Sequence, residues 1–336
     1  MRINVVRTTE HPVVKLYIDT IQEACTKAGY VCPNVRSKEK KLNKADYLIT
    51  DSPLVSARYI LRGFKNHIVW FQGVAPEESF MVHHSPFRYA VLSFVEKLVL
   101  WRAKLLFFVS EPMKTHYEKK YGLDLSSKGI VMPCFNETGI TETAFSQEKY
   151  KHNTFVYVGG LQPWQCFEET VKLYAEIERR STVPTKFCVF TYQKTEAEQL
   201  LRKHGIQNFS VDCVDKDELS DRIKGMKYGF VLREDCTVNN VATPTKFSNY
   251  LANGIIPIYS PVLKSFAEFD QNVSIGIPCR IDNLKAGAEA VLKDMQREVQ
   301  CDEIKRKCEY AFATYYNQDR YVERISSRLI ELLSNQ

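Results

Sequence analysis

The sequence alternates short apolar runs with longer amphipathic segments, and this alternation occurs in both halves of the chain. Apolar runs rich in β-branched and aromatic residues are typical of strands that are buried on both faces, and the amphipathic segments have the periodicity of covering helices. The pattern predicts βα units around a parallel sheet. With 336 residues, the chain is long enough for two such domains.

In the first half we predict strands at residues 3–6, 47–50, 68–71, 105–109 and 129–132, with helices at 13–27, 53–62, 87–103 and 112–121. In the second half we predict strands at 155–158, 186–191, 209–212, 229–232, 255–258 and 273–275, with helices at 167–180, 196–204, 217–224, 244–253, 282–298 and 301–313. A last amphipathic stretch, 319–333, has no strand after it, and the polar segment 138–153 is the expected linker. Because ligands bind at the carboxyl ends of parallel strands, we expect the functional residues in the strand-to-helix loops.

The composition excludes several classes of protein. With 44% apolar and 26% charged residues, the chain has the make-up of an ordinary globular protein rather than a disordered or fibrous one. It holds no apolar run long enough to cross a bilayer and no signal peptide at residues 1–7, which predicts a soluble or peripheral protein. Its ten cysteines are scattered without a C-x-x-C pair, as expected for reduced thiols in the cytoplasm, so we expect neither disulfides nor a structural metal.

The positive charge is concentrated in the first half. Residues 1–150 hold 21 Lys and Arg against 15 Asp and Glu, so the whole net charge of +6 lies there. The basic run at 36–44 could attract a phosphate-bearing partner or an anionic membrane surface, or it could be a solvated loop. Nucleic acid is disfavoured as a partner because the basic residues do not belong to a known nucleic-acid-binding module.

Two loops in the second half have the residues of an anion site. Gly159 and Gly160 follow a predicted strand, where paired glycines allow a close backbone approach, although a tight structural turn would explain them equally well. Further along, Thr243 and Pro244 read as the N-cap and first position of a helix that ends at Gly254.

Two cations lie next to the start of that predicted helix. Arg233 is at a strand end and Lys246 is in the first helical turn, where cations oppose the helix dipole. A bound diphosphate would resolve this conflict, whereas in a purely structural role both side chains would reach solvent.

The run from Pro244 to Pro257, PTKFSNYLANGIIP, resembles the donor-binding helix of GT-B fold glycosyltransferases of group 1, or family 4, of the polysaccharide-biosynthesis type. Residues 70–78 and 109–113 resemble segments of capsular-polysaccharide transferases. The resemblance implies an α/β fold with two Rossmann-like doubly wound parallel-sheet domains that face a cleft. It also implies an acceptor domain at 1–145, a nucleotide-sugar donor domain at 146–316 and a C-terminal helix at 317–336 that crosses back to the first domain.

Individual residues have predicted roles. Arg233 and Lys246 are placed to stabilise the departing diphosphate, and Glu77 is the third catalytic candidate. The strand ends of the first half also offer Asp51, Glu78 and Glu111 as alternative bases, and Glu10, His11, Gln72 and Gly73 are assigned to the acceptor side. Donor binding falls to Gly159, Gly160, Val214, Asn240, Thr243, Pro244, Thr245, Phe247 and Asn249. The chain departs from the family pattern where Asn249 and Val241 replace two glutamates, so the E-x7-E signature is absent and the donor contacts must be made differently.

A D-x-D at Asp215 to Asp217 is the manganese motif of the other major glycosyltransferase fold, but it opens a short predicted helix, where acids are favoured as caps. We therefore expect no metal and no cofactor besides the sugar-nucleotide co-substrate. If the enzyme retains anomeric configuration, as the resemblance implies, the leaving phosphate can take the acceptor proton and no protein base is required.

The predicted function is metal-independent transfer of a sugar from a nucleotide-diphosphate sugar to a glycan or a polyprenyl-diphosphate-linked acceptor. The predicted location is the cytoplasm, either free in solution or at the inner face of the cytoplasmic membrane. Residues 87–102 form an apolar helix with basic residues that we expect in the core, the alternative being a membrane interface. A sugar-nucleotide 2-epimerase and a non-catalytic sugar-nucleotide-binding partner subunit are the alternative functions.

Overall fold

The computed structural model describes residues 2–7, 15–36 and 42–334. The chain divides into two compact units. The first comprises Met1–Cys134, Asn240–Thr243 and Gln318–Gln336, and the second comprises Phe135–Asn239 and Pro244–Asn317. The polar segment that we expected to be a linker lies in the second unit.

Within the described residues, the first unit is built on a six-stranded sheet. Its strands are β1 (Ile3–Arg7), β2 (Asn34–Arg36), β3 (Tyr47–Thr50), β4 (His67–Phe71), β5 (Leu105–Phe108) and β6 (Gly129–Val131). They pair in parallel in the order β2-β1-β3-β4-β5-β6. Every residue of β3, β4 and β5 is buried, which is why these strands read as continuous apolar runs. The helices are α1 (Lys15–Lys27), α2 (Pro53–Leu61), α3 (Ala75–His83), α4 (Pro86–Arg102) and α5 (Glu111–Tyr121).

The second unit repeats this architecture. Its strands are β7 (Asn153–Val158), β8 (Thr185–Phe190), β9 (Phe209–Asp212), β10 (Tyr228–Val231), β11 (Ile256–Tyr259) and β12 (Ile277–Pro278), parallel and in the order β12-β11-β10-β7-β8-β9. Its helices are α6 (Gln147–Lys151), α7 (Phe167–Arg180), α8 (Lys194–Lys203), α9 (Lys216–Ile223), α10 (Thr237–Val241, which runs into the first unit), α11 (Lys246–Ala252), α12 (Lys264–Val273), α13 (Leu284–Met295) and α14 (Cys301–Thr314).

The last helix, α15 (Gln318–Ser334), belongs to the first unit and packs against α1. Lys27 forms an ion pair with Glu323, and Arg328 donates to the carbonyl oxygen of Ser127. The apolar stripe of α15 is buried at Val322, Ile325 and Leu329. The two parallel sheets and this crossing helix confirm the predicted fold class.

One predicted strand was wrong. The segment expected to form a strand at 273–275 contains the end of α12, which stops at Ser274 in the left-handed conformation with φ of 53°. The backbone N–H groups of Ile275 and Gly276 donate to Oδ1 of Asp270, at 2.7 and 3.0 Å. These bonds hold both residues beside the helix, and the strand β12 begins only at Ile277.

The expectation of a core helix at 87–102 was also wrong. Helix α4 buries Glu96, Val99 and Leu100, but the Phe94 and Trp101 side chains are 72% and 63% exposed. The helix is apolar around most of its circumference, so its composition could not indicate which face is buried. None of the helices among the described residues has the length and apolar character needed to cross a bilayer.

Candidate functional site

The second unit brings two buried cations together. Arg233 follows the end of β10 and Lys246 begins α11, and the two residues are only 3% and 8% exposed. Both donate to one atom, Oε1 of Gln165, at 2.6 Å from Arg233 Nη2 and 2.7 Å from Lys246 Nζ. The predicted pairing of Arg233 with Lys246 is therefore present in the structure, whereas the role of Gln165 was not predicted.

The remaining contacts fix the direction of both side chains. Arg233 Nη1 donates to the carbonyl oxygens of Gln165 and Leu232, at 3.1 and 2.7 Å. The Arg233 backbone N–H donates to Ser260 Oγ at 2.9 Å. Lys246 Nζ lies 4.3 Å from the centre of the Tyr157 ring, within the range of a cation–π interaction. Both positive groups are thus held by neutral partners.

Among the described residues, neither cation forms an ion pair with a carboxylate. Burial lowers the pKa of Arg233 and holds the pKa of Lys246 well below its usual value, and the charge of Arg233 lowers the pKa of Lys246 further. Buried charges are normally paired because removing them from water carries a large free-energy cost. An arrangement of this kind therefore favours binding of an anion.

The glycine loop after β7 accommodates Lys246. Gly159 has φ of 130°, and a Cβ there would lie 2.9 Å from Lys246 Cε. A side chain at this position would therefore strain the backbone and collide with the lysine. The carbonyl oxygen of the next residue, Gly160, accepts a hydrogen bond from the Tyr157 hydroxyl at 2.7 Å. The structure thus brings both predicted glycines to the same site as the cations.

The predicted start of α11 was wrong. The helix begins at Lys246 with Thr245 in the N-cap position, and the Thr245 side chain makes no cap hydrogen bond. Thr243 instead lies in the first unit, where its Oγ1 accepts a hydrogen bond from the Cys134 backbone at 3.0 Å. Pro244 precedes the helix, and its carbonyl oxygen accepts from the Phe247 backbone at 3.2 Å. At the other end, Gly254 has φ of 61° and confirms the left-handed stop.

Two predicted donor-binding residues of α11 differ in their environment. Phe247 is 1% exposed and stacks on Phe266 with 3.6 Å between ring centres, so it belongs to the core. Asn249 is 7% exposed, and its Oδ1 is buried without a hydrogen-bond partner among the described residues. An unpaired buried acceptor carries a free-energy cost of about 1–3 kcal/mol, which a ligand hydroxyl could remove.

The other predicted donor residues lie further apart along the chain. Val214 is half-buried in the loop between β9 and α9. Asn240 belongs to the first unit. Asp215, from the D-x-D, occupies the N-cap position of α9 without a side-chain cap bond, and Asp217 is in the first turn. No group of three or more His, Cys, Asp or Glu residues in the described ranges is arranged to hold a metal ion.

In the first unit, Glu77 belongs to a partly buried network of hydrogen bonds. Its Oε1 accepts hydrogen bonds from Lys120 Nζ at 2.8 Å, Tyr89 OH at 3.1 Å and His116 Nε2 at 3.2 Å. Burial raises the pKa of Glu77, but the bonds from His116 and Lys120 outweigh it and lower the pKa to about 2. So weak a base is unsuited to remove a proton at neutral pH, and we do not retain Glu77 as a catalytic group.

The same network holds the loop after β4. Gly73 accepts from Tyr117 OH at 2.9 Å, and a Cβ at Gly73 would lie 2.0 Å from Glu78 Oε1. That Glu78 oxygen accepts from the Val74 backbone at 3.1 Å. Gln72 is exposed, and its Nε2 donates to the Asp51 carbonyl oxygen at 2.9 Å. Glu10 and His11 lie outside the described residues.

The sequence matches no protein-family model, and no curated protein is similar enough in sequence to count as a relative. Solved structures are similar in fold. Sucrose-phosphate synthase from Thermosynechococcus elongatus aligns over 100% of both chains with a TM-score of 0.73 and 12% identity. WaaG, a glycosyltransferase involved in lipopolysaccharide biosynthesis, aligns over 96% of this chain and 99% of its own, with a TM-score of 0.67 and 12% identity.

A TarM variant from S. aureus, solved with UDP, aligns over 86% of this chain with a TM-score of 0.63 and 9% identity. The alignment spans only 55% of the TarM chain. The fold is the GT-B fold. In the GT-B fold of this chain, Arg233 and Lys246 lie at the carboxyl edge of the second parallel sheet, where ligands of such sheets bind.

Proposed function

We propose that this chain is a glycosyltransferase that moves a sugar from a nucleotide-diphosphate sugar to a glycan or lipid-linked acceptor. The observation that carries the proposal is the buried pair of Arg233 and Lys246, which share one neutral oxygen of Gln165. A bound diphosphate would supply the negative charge with which these two cations can form ion pairs. Each charge-assisted hydrogen bond to it contributes about 1.5–3 kcal/mol.

The neighbours in fold support this class of donor. The TarM structure contains UDP, and a trehalose-6-phosphate enzyme from E. coli contains UDP-2-fluoro glucose. The TM-score of the latter is 0.69 at 11% identity. A nucleoside-diphosphate sugar is thus a ligand that this fold accommodates in other proteins.

In the proposed mechanism, the leaving diphosphate binds Arg233 and Lys246 in place of Gln165 Oε1. Negative charge grows on the leaving phosphate as the glycosidic bond breaks, and fixed positive groups stabilise that charge without reorganising. Asn249 Oδ1, which has no partner among the described residues, accepts a hydrogen bond from a ribose hydroxyl. This role replaces the one that the resemblance gives to a glutamate.

Proton transfer requires no protein base in this proposal. In a retaining reaction the leaving phosphate accepts the proton of the acceptor hydroxyl, and Glu77 stays ion-paired with Lys120. The two cations provide the positive field that a divalent metal would supply elsewhere. The proposed reaction is therefore retaining and metal-independent.

The acceptor is proposed to belong to a surface polysaccharide or glycoconjugate pathway, because WaaG, which has a similar fold, acts in lipopolysaccharide biosynthesis. The positive charge of the first half suits an acceptor carried on polyprenyl diphosphate. Such an acceptor would place the protein at the cytoplasmic face of the membrane.

Incubation with a panel of nucleotide sugars tests the proposed class. A transferase releases nucleoside diphosphate, slowly with water alone and faster with an acceptor. Interconversion of sugars without this release would indicate a 2-epimerase instead, and binding without turnover would indicate a non-catalytic partner subunit.

A further inference from the structure

Helix α4 exposes its apolar stripe and buries a charge. Phe87, Val91, Phe94 and Trp101, spaced three to seven residues apart, are exposed on one face, and Leu98 between them is half-buried. On the opposite face Glu96 is 1% exposed, and it accepts hydrogen bonds from the network of α5. An ordinary surface helix turns its charges to solvent and its large apolar residues to the core, and here the four exposed apolar residues and Glu96 do the opposite, although Val99 and Leu100 are buried.

The stripe is larger than the isolated apolar residues that protein surfaces normally carry. Phe87, Phe94 and Trp101 are 78%, 72% and 63% exposed, and they recur every seven residues, which is about two turns, along one face of α4. Single exposed apolar residues are common on protein surfaces, whereas a contiguous exposed apolar stripe marks an interaction site.

The charges around the stripe identify the partner. Between residues 80 and 104 the exposed charged side chains are all basic, namely Arg88, Lys97, Arg102 and Lys104. The Arg102 guanidinium lies 5.3 Å from the centre of the Trp101 ring. At the end of α4, Lys128 Nζ donates to the carbonyl oxygens of Leu100 and Trp101, at 2.6 and 3.2 Å.

We propose that the exposed stripe of α4 docks onto a lipid bilayer with anionic phosphate headgroups. Aromatic side chains would enter the interface while the flanking Arg and Lys side chains bind the headgroups. A second copy of the chain is the less suitable partner, because an isologous contact would bring the same basic rim against itself. With the helix too short and too polar to span a bilayer, it lies in the plane of the interface.

The inference rests on the proposed function for its purpose, which is to bring the enzyme to a lipid-linked acceptor. It is tested without any nucleotide sugar. A lack of vesicle binding would therefore not count against the proposed transfer reaction. The full-length protein is mixed with vesicles of phosphatidylcholine, with and without phosphatidylglycerol, and bound protein is recovered by flotation. We expect binding only to the anionic vesicles and a loss of binding as salt rises.

Tryptophan fluorescence locates the contact. Of the three tryptophans, Trp70 is fully buried, Trp164 is half-buried and Trp101 is the most exposed. Anionic vesicles should shift the emission to the blue, and brominated acyl chains should quench it. The shift should disappear in Trp101→Phe while binding persists.

The double variant Phe94→Ser with Trp101→Ser should bind anionic vesicles at least about tenfold more weakly. The matched control, Val183→Ser with Ile330→Ser, changes exposed apolar residues elsewhere and should bind like the wild type. Three results would overturn the proposal. The two double variants could bind vesicles equally well, the wild type could bind vesicles without a change in Trp101 emission, or the wild type could fail to bind anionic vesicles at low salt. A wild-type dimer that becomes monomeric only in the Phe94→Ser, Trp101→Ser variant would also overturn the proposal, because the stripe would then be a contact between two copies of the chain.

Discussion

Arg233 and Lys246 donate hydrogen bonds to the same atom, Oε1 of Gln165, at 2.6 and 2.7 Å. One neutral amide oxygen therefore serves two positive groups in a buried site. An amide oxygen carries only a partial negative charge, so the pair remains under-compensated. The proposed diphosphate site is thus a place where the unliganded fold pays a free-energy cost that binding would relieve.

Replacing Lys246 with methionine should raise the free energy of unfolding of the ligand-free protein by about 1–2 kcal/mol. The change removes an unpaired buried charge and keeps most of the side-chain volume. Urea denaturation measures it, with Lys186→Met as the control, since Lys186 is exposed on β8. A loss of stability in Lys246→Met alone would mean that the charge is compensated in the unliganded protein.

Asn249→Leu should weaken binding of a nucleoside diphosphate by about 1–2 kcal/mol and leave binding of inorganic pyrophosphate unchanged. The reason is that Asn249 is assigned to the ribose and the cations to the phosphates. Calorimetric titration with both ligands separates the two effects. Equal losses for both ligands would remove Asn249 from the ribose site.

Turnover should persist in EDTA, because the positive field at the leaving phosphate comes from Arg233 and Lys246. Release of nucleoside diphosphate from the accepted nucleotide sugar is the measurement, with added manganese as the comparison. Activity that EDTA abolishes and manganese restores would reject the metal-free mechanism.

Glu77→Gln should make acid unfolding less steep and leave the transfer rate at neutral pH above about a tenth of that of the wild type, whereas losing a catalytic base costs about 10²–10⁴-fold. The pKa of Glu77 is lowered to about 2 from 4.5. Its stabilisation is therefore complete above pH 4.5 and is lost as pH falls toward 2. Acid titrations of both proteins followed by circular dichroism test this, and a rate loss of base-like size would restore Glu77 as a base.

A second buried lysine, Lys149, predicts a change of stability with pH in the neutral to alkaline range. Lys149 donates to the carbonyl oxygens of Ala144 and Asn253, and burial lowers its pKa from 10.5 to about 7. Between these values the unfolded chain binds more protons than the folded one, so stability rises with pH. From pH 7 to 9 the wild type should gain about 2 kcal/mol more than Lys149→Met in urea denaturation. Parallel pH profiles would show that Lys149 titrates normally.

The sequence predicted the sheets well because buried parallel strands are continuous apolar runs, as at His67–Phe71 and Leu105–Phe108. It failed where one side chain binds the backbone and decides local structure. Asp270 accepts hydrogen bonds from the backbone N–H groups of Ile275 and Gly276, five and six residues further on, and the apolar periodicity of the segment does not indicate this. Helix α3, which was not predicted, engages its acids Glu77 and Glu78 in partly buried hydrogen bonds, so it lacks a clear apolar stripe.

The site was predicted in part for a similar reason. Arg233 and Lys246 could be found because each lies at the junction of a strand and a helix. Gln165 could not be assigned, because its role depends on a short 3₁₀ turn, Pro163–Gln165, that aims its side chain at both cations.

The most direct test of the central claim is calorimetric titration of a nucleoside diphosphate into the wild type, Arg233→Ala and Lys246→Ala, with Lys186→Ala as the control. Uridine, guanosine and adenosine diphosphates are each titrated into the wild type, and the one that binds most tightly is used for the variants. The account predicts that each cation variant loses about 1.5–3 kcal/mol of binding free energy, roughly a tenfold to hundredfold weaker affinity, while the control binds like the wild type. Unchanged affinity in both cation variants would contradict it.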